Sequence, residues 1–327
     1  MRKAVSIIFI LLLVGVGVFF LSTFDKERVS YFWENSKNEN KEDITILVLG
    51  RVAEGQGGRW HSAPGLTDAI VIINYRPKEN VINLVSLPRD LYGEFGQDEF
   101  KVNEIYVRKK IEAFMEKLPE IIGIEVENFL VVDVDLIETA VDSLGGIDVE
   151  LTAPVTDSVS GFRLEKGVQH LSGEDAIWLM RNRYSPEGDF FREKNQHVVI
   201  ASIFNSFNIL SAGDKTAFLL GMVPYLRGAE ANFSIGEIIP SFGEVNSLTF
   251  NSVTLDFSTG LLRSSYVPVG TRFLDIPTST EPSLGQTSTS STSTVTTPTP
   301  VRAYVLIPTE GINNYTAIRE FITEKLK

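Results

Sequence analysis

The stretch AIVIINYRPKENVINLVSL occupies residues 69–87 and holds two runs that are rich in Ile and Val. The runs, residues 69–75 and 81–87, are joined by Arg-Pro-Lys-Glu-Asn at positions 76–80, a turn of hairpin size. Short β-branched runs bounded by turn residues are typical of strands in a buried sheet. The sequence therefore predicts a hairpin within the core of the fold.

Similar patterns extend this prediction on both sides. Residues 44–49, 128–134 and 147–151 are further apolar runs of strand length. Residues 104–118 carry apolar side chains at helical spacing, and Asp135 can cap another helix of the same kind. Strands that alternate with amphipathic helices predict an α/β fold class, in which helices cover both faces of a central sheet.

The N-terminus carries an apolar segment of membrane-spanning length. Residues 4–22 are uncharged, and their length as a helix, about 28 Å, matches the hydrocarbon layer of a bilayer. Two basic residues precede the segment, so the positive-inside rule predicts that residues 1–3 are cytoplasmic and the rest of the chain is extracytoplasmic. Polar residues 23–43 are expected to form a juxtamembrane spacer. A cleaved signal peptide is the alternative, although residues 21–25 lack a clean small-x-small cleavage site.

The composition changes abruptly at residues 277–300, where 15 of 24 residues are Ser or Thr and four are Pro. Such a stretch predicts a disordered insertion. Beyond it, residues 303–307 have the pattern of a strand and residues 314–326 that of a helix, which is too little for a separate core. We therefore predict one domain over residues 44–276, which residues 301–327 complete with a closing strand and helix.

The overall composition excludes several classes of function. The 327 residues carry a formal net charge of −12, so the surface repels phosphate backbones and nucleic-acid binding is not expected. The chain has no cysteine, which excludes disulfides, thiolate nucleophiles and zinc–thiolate sites. Three histidines leave little for a histidine-rich metal centre.

Basic residues concentrate in the stretch RNRYSPEGDFFREKNQ at residues 181–196. Ser172 and Asp175 form a capping box for a helix that is expected to end near Met180. Ser-Pro-Glu-Gly at residues 185–188 then indicates a turn between this helix and a second, longer one.

On the second helix, which Asp189 can cap, Asp189, Arg192 and Gln196 share one face. Arg181 and Arg183 precede the turn, so three arginines are expected to meet at a helix N-terminus. Free N–H groups and the helix dipole favour a phosphate there, and arginine binds phosphate oxygens bidentately. The alternative is an arginine network on a solvated face, paired with the carboxylates of Glu187, Asp189 and Glu193.

A second candidate site lies at the ends of the predicted hairpin. Asp68 begins one strand and Arg89 follows the other, so the hairpin is expected to bring them together. A carboxylate can hold Mg²⁺ while a neighbouring arginine holds the phosphate that the metal bridges. The alternative is that Asp68 caps a turn and that Arg89 forms a local ion pair with Asp90.

Together these segments resemble the LytR-CpsA-Psr (LCP) family of membrane-anchored cell-envelope proteins. The resemblance is strongest over residues 44–205 and rests on five motifs in the family's order. The motifs are Thr67-Asp68-Ala69, VSLPRD at 85–90, KVN at 101–103, VDSLGGIDV at 141–149, and the arginine motif from Arg181 through Asp189 and Arg192 to Gln196.

The resemblance implies an α-β-α fold with a central mixed β-sheet flanked by helices on both faces. It implies a phosphotransferase at the membrane that moves a glycan polymer from a polyprenyl pyrophosphate carrier to peptidoglycan. Asp68 is implied as a ligand of Mg²⁺ or Mn²⁺, and Asp68 and Arg89 are implied as catalytic. The implied pyrophosphate-binding residues are Arg89, Lys101, Arg181, Arg183, Asp189, Arg192 and Gln196.

Two positions depart from the family's pattern. Val52 stands where the family has a second metal-binding Asp, and Leu66 stands where it has an arginine. The glycine-rich loop between them offers Glu54, Arg59 and His61 as replacements, and His61 is a candidate catalytic base, with a surface histidine as the alternative. Two other functions therefore stay open: a hydrolase that uses water as the acceptor, and a non-catalytic lipid- or glycan-binding module.

Overall fold

The computed structural model describes residues 43–51, 65–226, 229–233, 248–268 and 302–327. The predicted anchor at residues 4–22, the spacer up to residue 42 and the insertion at residues 277–300 lie outside these ranges. So do Val52 and His61. Within the described ranges, no helix combines the length and the apolar character that crossing a membrane requires.

The strands are named in chain order. They are β1 Ile44–Arg51, β2 Thr67–Arg76, β3 Val81–Ser86, β4 Tyr92–Phe95, β5 Asp98–Lys101, β6 Asn128–Asp133, β7 Ile147–Leu151, β8 Val155–Thr156, β9 Arg163–Leu164, β10 Gly167–Leu171, β11 Glu230–Ala231, β12 Thr249–Thr254, β13 Leu262–Pro268 and β14 Arg302–Pro308. The helices are α1 Ile105–Ile122, α2 Val134–Ser143, α3 Gly173–Arg181, α4 Asp189–Asn208, α5 Ala212–Leu226 and α6 Thr316–Lys325.

Among the described residues, six strands form a mixed sheet in the order β11-β6-β1-β2-β3-β12. β2 is antiparallel to both β1 and β3, whereas β6 runs parallel to β1 and β12 runs parallel to β3. The hairpin predicted from residues 69–87 is confirmed, because Tyr75 pairs with Ile82 and Arg76 with Val81 across its turn.

Helices cover both faces of this sheet because side chains alternate along each strand. On one face, Leu47 and Leu49 pack with Phe114 of α1 and Ile318 of α6. On the other face, the sheet packs against α4 and, beyond it, against α2 and α5. The predicted central mixed sheet with helices on both faces is therefore confirmed.

A second apolar cluster lies behind α4. It joins α2, α3 and α4 to the antiparallel pair of β7 and β10, through residues that include Ile147, Leu179 and Val199. The next residues of α4, Ile200 and Phe204, pack against the central sheet instead. α4 is therefore enclosed on two sides, and polar groups on its first turns are buried.

The C-terminal strand lies beside the core rather than in the central sheet. β14 pairs with β13 in a two-stranded antiparallel sheet. The backbone N–H of Leu306 donates to the carbonyl of Asp90 at 2.8 Å, which fixes β14 beside the segment that follows β3. After β14, α6 packs Ile318 and Ile322 into the main apolar cluster.

The sequence predicts caps at the starts of α2 and α3, and only the second prediction is correct. α2 begins at Val134 with Asp133 in the N-cap position, so the prediction that Asp135 is the cap is wrong. Asp135 lies in the first turn, where its charge still complements the helix dipole. The capping box of Ser172 and Asp175 is confirmed at the start of α3.

Candidate functional site

Arg89 lies where the central sheet meets α4. Its Nη1 donates to Oδ1 of Asp68 in β2 at 2.7 Å, and its Nε donates to Oδ2 of Asp189 at 2.9 Å. The hairpin supports the first contact, because the N–H of Leu87 donates to the carbonyl of Ile70 at 3.0 Å. The structure thus brings Asp68 and Arg89 together as expected.

Burial and charge act in opposite directions on these groups. Burial lowers the pKa of Arg89, but the charges of Asp68, Asp189 and Asp90 outweigh it, so this pKa lies above its ordinary value. Burial raises the pKa of Asp189, but the charges of Arg192 and Arg89 outweigh it, so this pKa lies below its ordinary value. Both groups are therefore charged at neutral pH.

α4 begins at the residue expected to be its cap, so the helix starts one residue earlier than predicted. Asp189 is the first residue of the helix and Gly188 occupies the N-cap position, so the prediction that Asp189 caps α4 is wrong. Gly188 has a φ of 57°, in the left-handed region that favours glycine, and it turns the chain into the helix. The Asp189 carboxylate contacts Arg89 rather than capping its own helix.

Arg192 follows Asp189 on α4 and is only 6% exposed. Its Nη2 lies 3.4 Å from Oδ2 of Asp189, while its Nε is buried and has no hydrogen-bond partner among the described residues. Burial lowers the pKa of Arg192, and the charge of Arg89 lowers it further. The alternative of a solvated arginine network is therefore wrong for Arg192. A buried guanidinium with an unused donor is suited to an anion that supplies the missing acceptor.

The other arginines of the motif add positive charge beside Arg192. Burial lowers the pKa of Arg181, which ends α3, and the charges of Arg192 and Arg183 also lower it. The carboxylate of Asp68 opposes this shift. Arg183 is itself exposed. The structure thus brings together the arginines that the sequence grouped.

Two further residues were expected to bind pyrophosphate. Lys101 donates from Nζ to Oδ1 of Asp90 at 2.6 Å, so its charge is already paired one residue away from Arg89. Gln196 is buried on α4, one turn beyond Arg192. Lys101 therefore contacts the carboxylate of Asp90, the residue next to Arg89. Gln196 lies on the same helix as Arg192, the central arginine of the cluster.

A cleft of about 220 Å³ opens beside Arg89. Glu193 lines this cleft and is only 4% exposed, and its Oε2 has no hydrogen-bond partner among the described residues. Burial raises the pKa of Glu193 to about 8, against the opposing charge of Arg192. The sequence indicates Glu193 only as an ion-pair partner on a solvated face, and that placement is wrong because the side chain is buried. The walls also include Asp90, Asp189, Phe190, Phe257 and Tyr304.

A buried histidine on α4 was not anticipated from the sequence. Nε2 of His197 lies 2.8 Å from Oγ of Ser86 in β3, and Nδ1 lies 2.6 Å from Oγ of Ser252 in β12. Burial lowers its pKa to about 4, so the ring is neutral at pH 7. These contacts join the helix that carries Arg192 to two strands of the central sheet.

Asp68 is the candidate metal ligand. Within the described ranges, no group of three or more His, Cys, Asp or Glu side chains is placed to hold a metal ion. Mg²⁺ in phosphate-transfer sites is nevertheless often held by one or two carboxylates, with substrate phosphates and water as its other ligands. A single carboxylate beside an arginine cluster fits that donor set.

The fold and the site together define an α/β protein whose central mixed sheet and long helix α4 enclose an arginine cluster suited to a phosphate-containing ligand. The chain belongs to the LytR_cpsA_psr family, whose model matches residues 21–221. The family resemblance drawn from the sequence motifs is thereby confirmed.

Two relatives indicate what the family contains. Regulatory protein MsrR of Staphylococcus aureus (strain COL) is 28% identical over 178 residues, which are 54% of this chain and 52% of that protein. The polyisoprenyl-teichoic acid–peptidoglycan teichoic acid transferase TagU of Bacillus mycoides (strain KBAB4) is 28% identical over 186 residues, 55% of this chain and 58% of that protein. The chain thus spans about half the length of the curated relatives it matches.

Solved structures share the fold over most of the chain. TagT bound to LIIa-WTA has a TM-score of 0.58 at 18% identity, and the match covers 89% of this chain and 90% of that one. TagU of B. subtilis has a TM-score of 0.55 at 20% identity and covers 88% of this chain and 98% of that one. At these identities the likeness establishes the fold alone.

Proposed function

We propose that this protein is a membrane-anchored phosphotransferase of the cell envelope, which moves a glycan polymer from a polyprenyl pyrophosphate carrier to peptidoglycan. Membership of the family and the name of its relative TagU, a teichoic acid transferase, support this class of reaction. The observation that carries the proposal is the buried Arg192, whose Nε lacks a partner among the described residues, in the centre of an arginine cluster.

The pyrophosphate is the anion that completes this cluster. Arg192 and Arg181 are both held among other cations, so each is stabilised by added negative charge. Asp68 and Asp189 both accept hydrogen bonds from Arg89. A phosphate oxygen supplies the acceptor that Nε of Arg192 lacks among the described residues, and a planar guanidinium can bind two oxygens at once.

The reaction requires little covalent chemistry from the protein. The acceptor hydroxyl oxygen bonds to the phosphorus that carries the glycan, the bridging P–O bond breaks, and polyprenyl phosphate leaves. The proton of the hydroxyl passes to a base, for which His61 stays a candidate. The arginines hold the phosphates in line and stabilise the negative charge that grows on the leaving oxygens.

We assign Asp68 as the carboxylate ligand of Mg²⁺ or Mn²⁺. A bound metal ion would neutralise charge on the leaving phosphate. Arg89 orients Asp68, because its Nη1 donates to Oδ1 of that carboxylate at 2.7 Å.

The proposal also includes the location. Residues 4–22 anchor the chain, residues 1–3 stay in the cytoplasm, and the domain works outside the cell at the membrane, where polyprenyl carriers and peptidoglycan meet. Protease added to intact cells without their wall should digest the domain. A protected domain contradicts this location.

The arginine cluster is tested by lipid binding. Arg192→Ala should weaken the affinity for a polyprenyl pyrophosphate by about 1.5 to 3 kcal/mol, the usual size of a charge-assisted hydrogen bond. Arg163→Ala is the matched control, because Arg163 is an exposed arginine that pairs with Glu165 outside the cluster. Asp68→Asn should keep much of the lipid affinity but remove the Mg²⁺ dependence of transfer.

The same assay separates the other functions. Phosphate release without a sugar acceptor would identify a hydrolase, and tight lipid binding without any product would identify a binding module. Lipid affinity of Arg192→Ala equal to that of the parent, in a variant with unchanged circular dichroism, would show that the arginine cluster is structural.

A further inference from the structure

Three aromatic side chains form an exposed rim on one side of the cleft. The aromatic rim consists of Phe257, Tyr266 and Tyr304, of which Phe257 is 50% and Tyr266 61% exposed. Phe257 and Tyr304 line the cleft beside Arg89. A contiguous group of exposed aromatic side chains beside a cleft is typical of a surface that contacts a ligand or partner.

The rim is built on rigid neighbours. Tyr266 and Tyr304 are directly opposite each other in the β13–β14 ladder, and their rings lie 5.9 Å apart at an interplanar angle of 74°. Phe257 packs edge-on against the buried Phe190 of α4, with ring centroids 5.0 Å apart. The aromatic faces are thus fixed before any ligand arrives, which reduces the entropy cost of binding.

The charges around the rim differ from those of the arginine cluster. Asp90 is paired with Lys101, and Lys194 lies between Glu187 and Asp256, at 2.5 and 3.3 Å from their carboxylate oxygens. These three carboxylates and two lysines leave no excess positive charge, so an anionic polymer is not attracted to this side. A neutral ligand with many hydroxyl groups suits it, because carboxylates can accept hydrogen bonds from those hydroxyls and tyrosine hydroxyls can accept or donate them.

We propose that the aromatic rim is a sugar-binding subsite for the neutral glycan chain that accepts the transferred polymer, an assignment that rests on the proposed function. The apolar C–H face of a pyranose ring packs on an aromatic face, while its hydroxyl groups stay at the edge for hydrogen bonds. The subsite and the arginine cluster meet at Arg89 and Asp189. An acceptor hydroxyl held on the rim therefore lies beside the phosphates of the donor.

The test measures two affinities on the full chain in detergent. The sugar probe is a tetrasaccharide of N-acetylglucosamine and the lipid probe is a polyprenyl pyrophosphate. Tyr266→Ala should weaken tetrasaccharide binding about fivefold, the size of one aromatic contact, and leave lipid affinity unchanged. Tyr266→Phe, which keeps the ring and loses only the hydroxyl, should retain most of the sugar affinity that Tyr266→Ala loses. Tyr225→Ala is the matched control, because Tyr225, near the end of α5, is 50% exposed and lies outside the aromatic rim.

The outcomes separate this inference from the proposed function. A parent chain that does not bind the tetrasaccharide, or a Tyr266→Ala variant that binds it unchanged, overturns the sugar subsite. A parent that sediments as a dimer, with Tyr266→Ala as a monomer, also overturns it, because the rim is then an interface between copies. A parent that binds the sugar but not the lipid contradicts the proposed function and leaves the subsite in place.

Discussion

α4 carries two sets of buried polar groups within six residues, and they differ in whether their hydrogen bonds are complete. His197 is 2% exposed, and both of its ring nitrogens contact serine hydroxyls of the central sheet. Arg192 and Glu193 are buried to a similar degree, yet Nε of the arginine and Oε2 of the glutamate have no partner among the described residues. The first set completes the fold, and the second is suited to a ligand.

The energetic meaning of this difference follows from desolvation. A buried polar atom without a partner costs about 1 to 3 kcal/mol, whereas a satisfied one is close to neutral or favourable. Incomplete groups persist where another requirement retains them, and functional sites are the usual case. The contrast therefore predicts that changes at His197 weaken folding, whereas changes at Arg192 weaken binding.

The largest expected effect is the pH dependence of stability that Glu193 causes. Its pKa is about 8 in the folded protein against an ordinary value of 4.5, so between these values the folded state holds a proton that the unfolded state releases. Stability should therefore fall as the pH rises. As the pH rises through this range, the free energy of unfolding of Glu193→Gln should increase relative to that of the parent by roughly 1.4 kcal/mol per pH unit. Urea denaturation of both proteins at several pH values measures this difference.

The matched control is Glu187→Gln, which changes an exposed glutamate of the same cleft wall that pairs with Lys194. Its stability should follow that of the parent across the range. Parallel pH profiles for Glu193→Gln and the parent would show that Glu193 is solvated, and the contrast with His197 would then fail.

Replacement of His197 should have the next largest effect. His197→Ala leaves a cavity and two serines without their partner, so it should lower the free energy of unfolding by about 2 to 3 kcal/mol at pH 7. The folded pKa of about 4 lies below the ordinary 6.5, so the parent itself loses stability as the pH falls through this range. The difference between parent and variant should therefore shrink towards pH 4.

Binding provides the check on this second prediction. At pH 7, His197→Ala that is still folded should retain the lipid affinity of the parent, because His197 contacts Ser86 and Ser252 and not the arginine cluster. A large loss of lipid affinity in a fully folded His197→Ala variant would show that His197 contributes to binding. The distinction between His197 and the pair Arg192 and Glu193 would then be wrong.

The central sheet could be predicted from the sequence because its signals are local. The alternation of apolar residues and the turn at residues 76–80 determine the β2–β3 hairpin, and the motif order indicates the family. The start of α4 could not be predicted, because the choice between Asp189 and Gly188 depends on Arg89, which lies 100 residues earlier in the chain. Local propensity makes Asp189 a good cap, and the tertiary ion pair overrides it.

The candidate site was predictable in its charges and not in its burial. Arginine spacing grouped Arg181, Arg183 and Arg192 correctly, since the turn between α3 and α4 is short. The charged neighbours of Glu193 in the sequence predict a surface ion pair for it. Glu193 lines the cleft together with Phe257 and Tyr304, which the segment before β13 and strand β14 bring there from far along the chain. The residue pattern of α4 alone therefore does not predict that Glu193 is buried.

The smallest expected effect separates the two serines that contact His197. Ser86 is 1% exposed, so Ser86→Ala leaves a ring nitrogen of His197 buried without a partner and should cost about 1 to 2 kcal/mol. Ser252 lies on the outer strand β12 and is exposed, so water can replace its hydroxyl, and Ser252→Ala should cost no more than about 0.5 kcal/mol. Denaturation of the two variants at pH 7 measures the difference. Equal costs would mean that water does not replace the Ser252 hydroxyl at Nδ1 of His197. Both serine contacts of His197 would then be shielded from solvent and would stabilise the fold to the same degree. A larger cost for Ser252→Ala would instead assign the main hydrogen bond of the imidazole to β12 and reverse the order derived from burial.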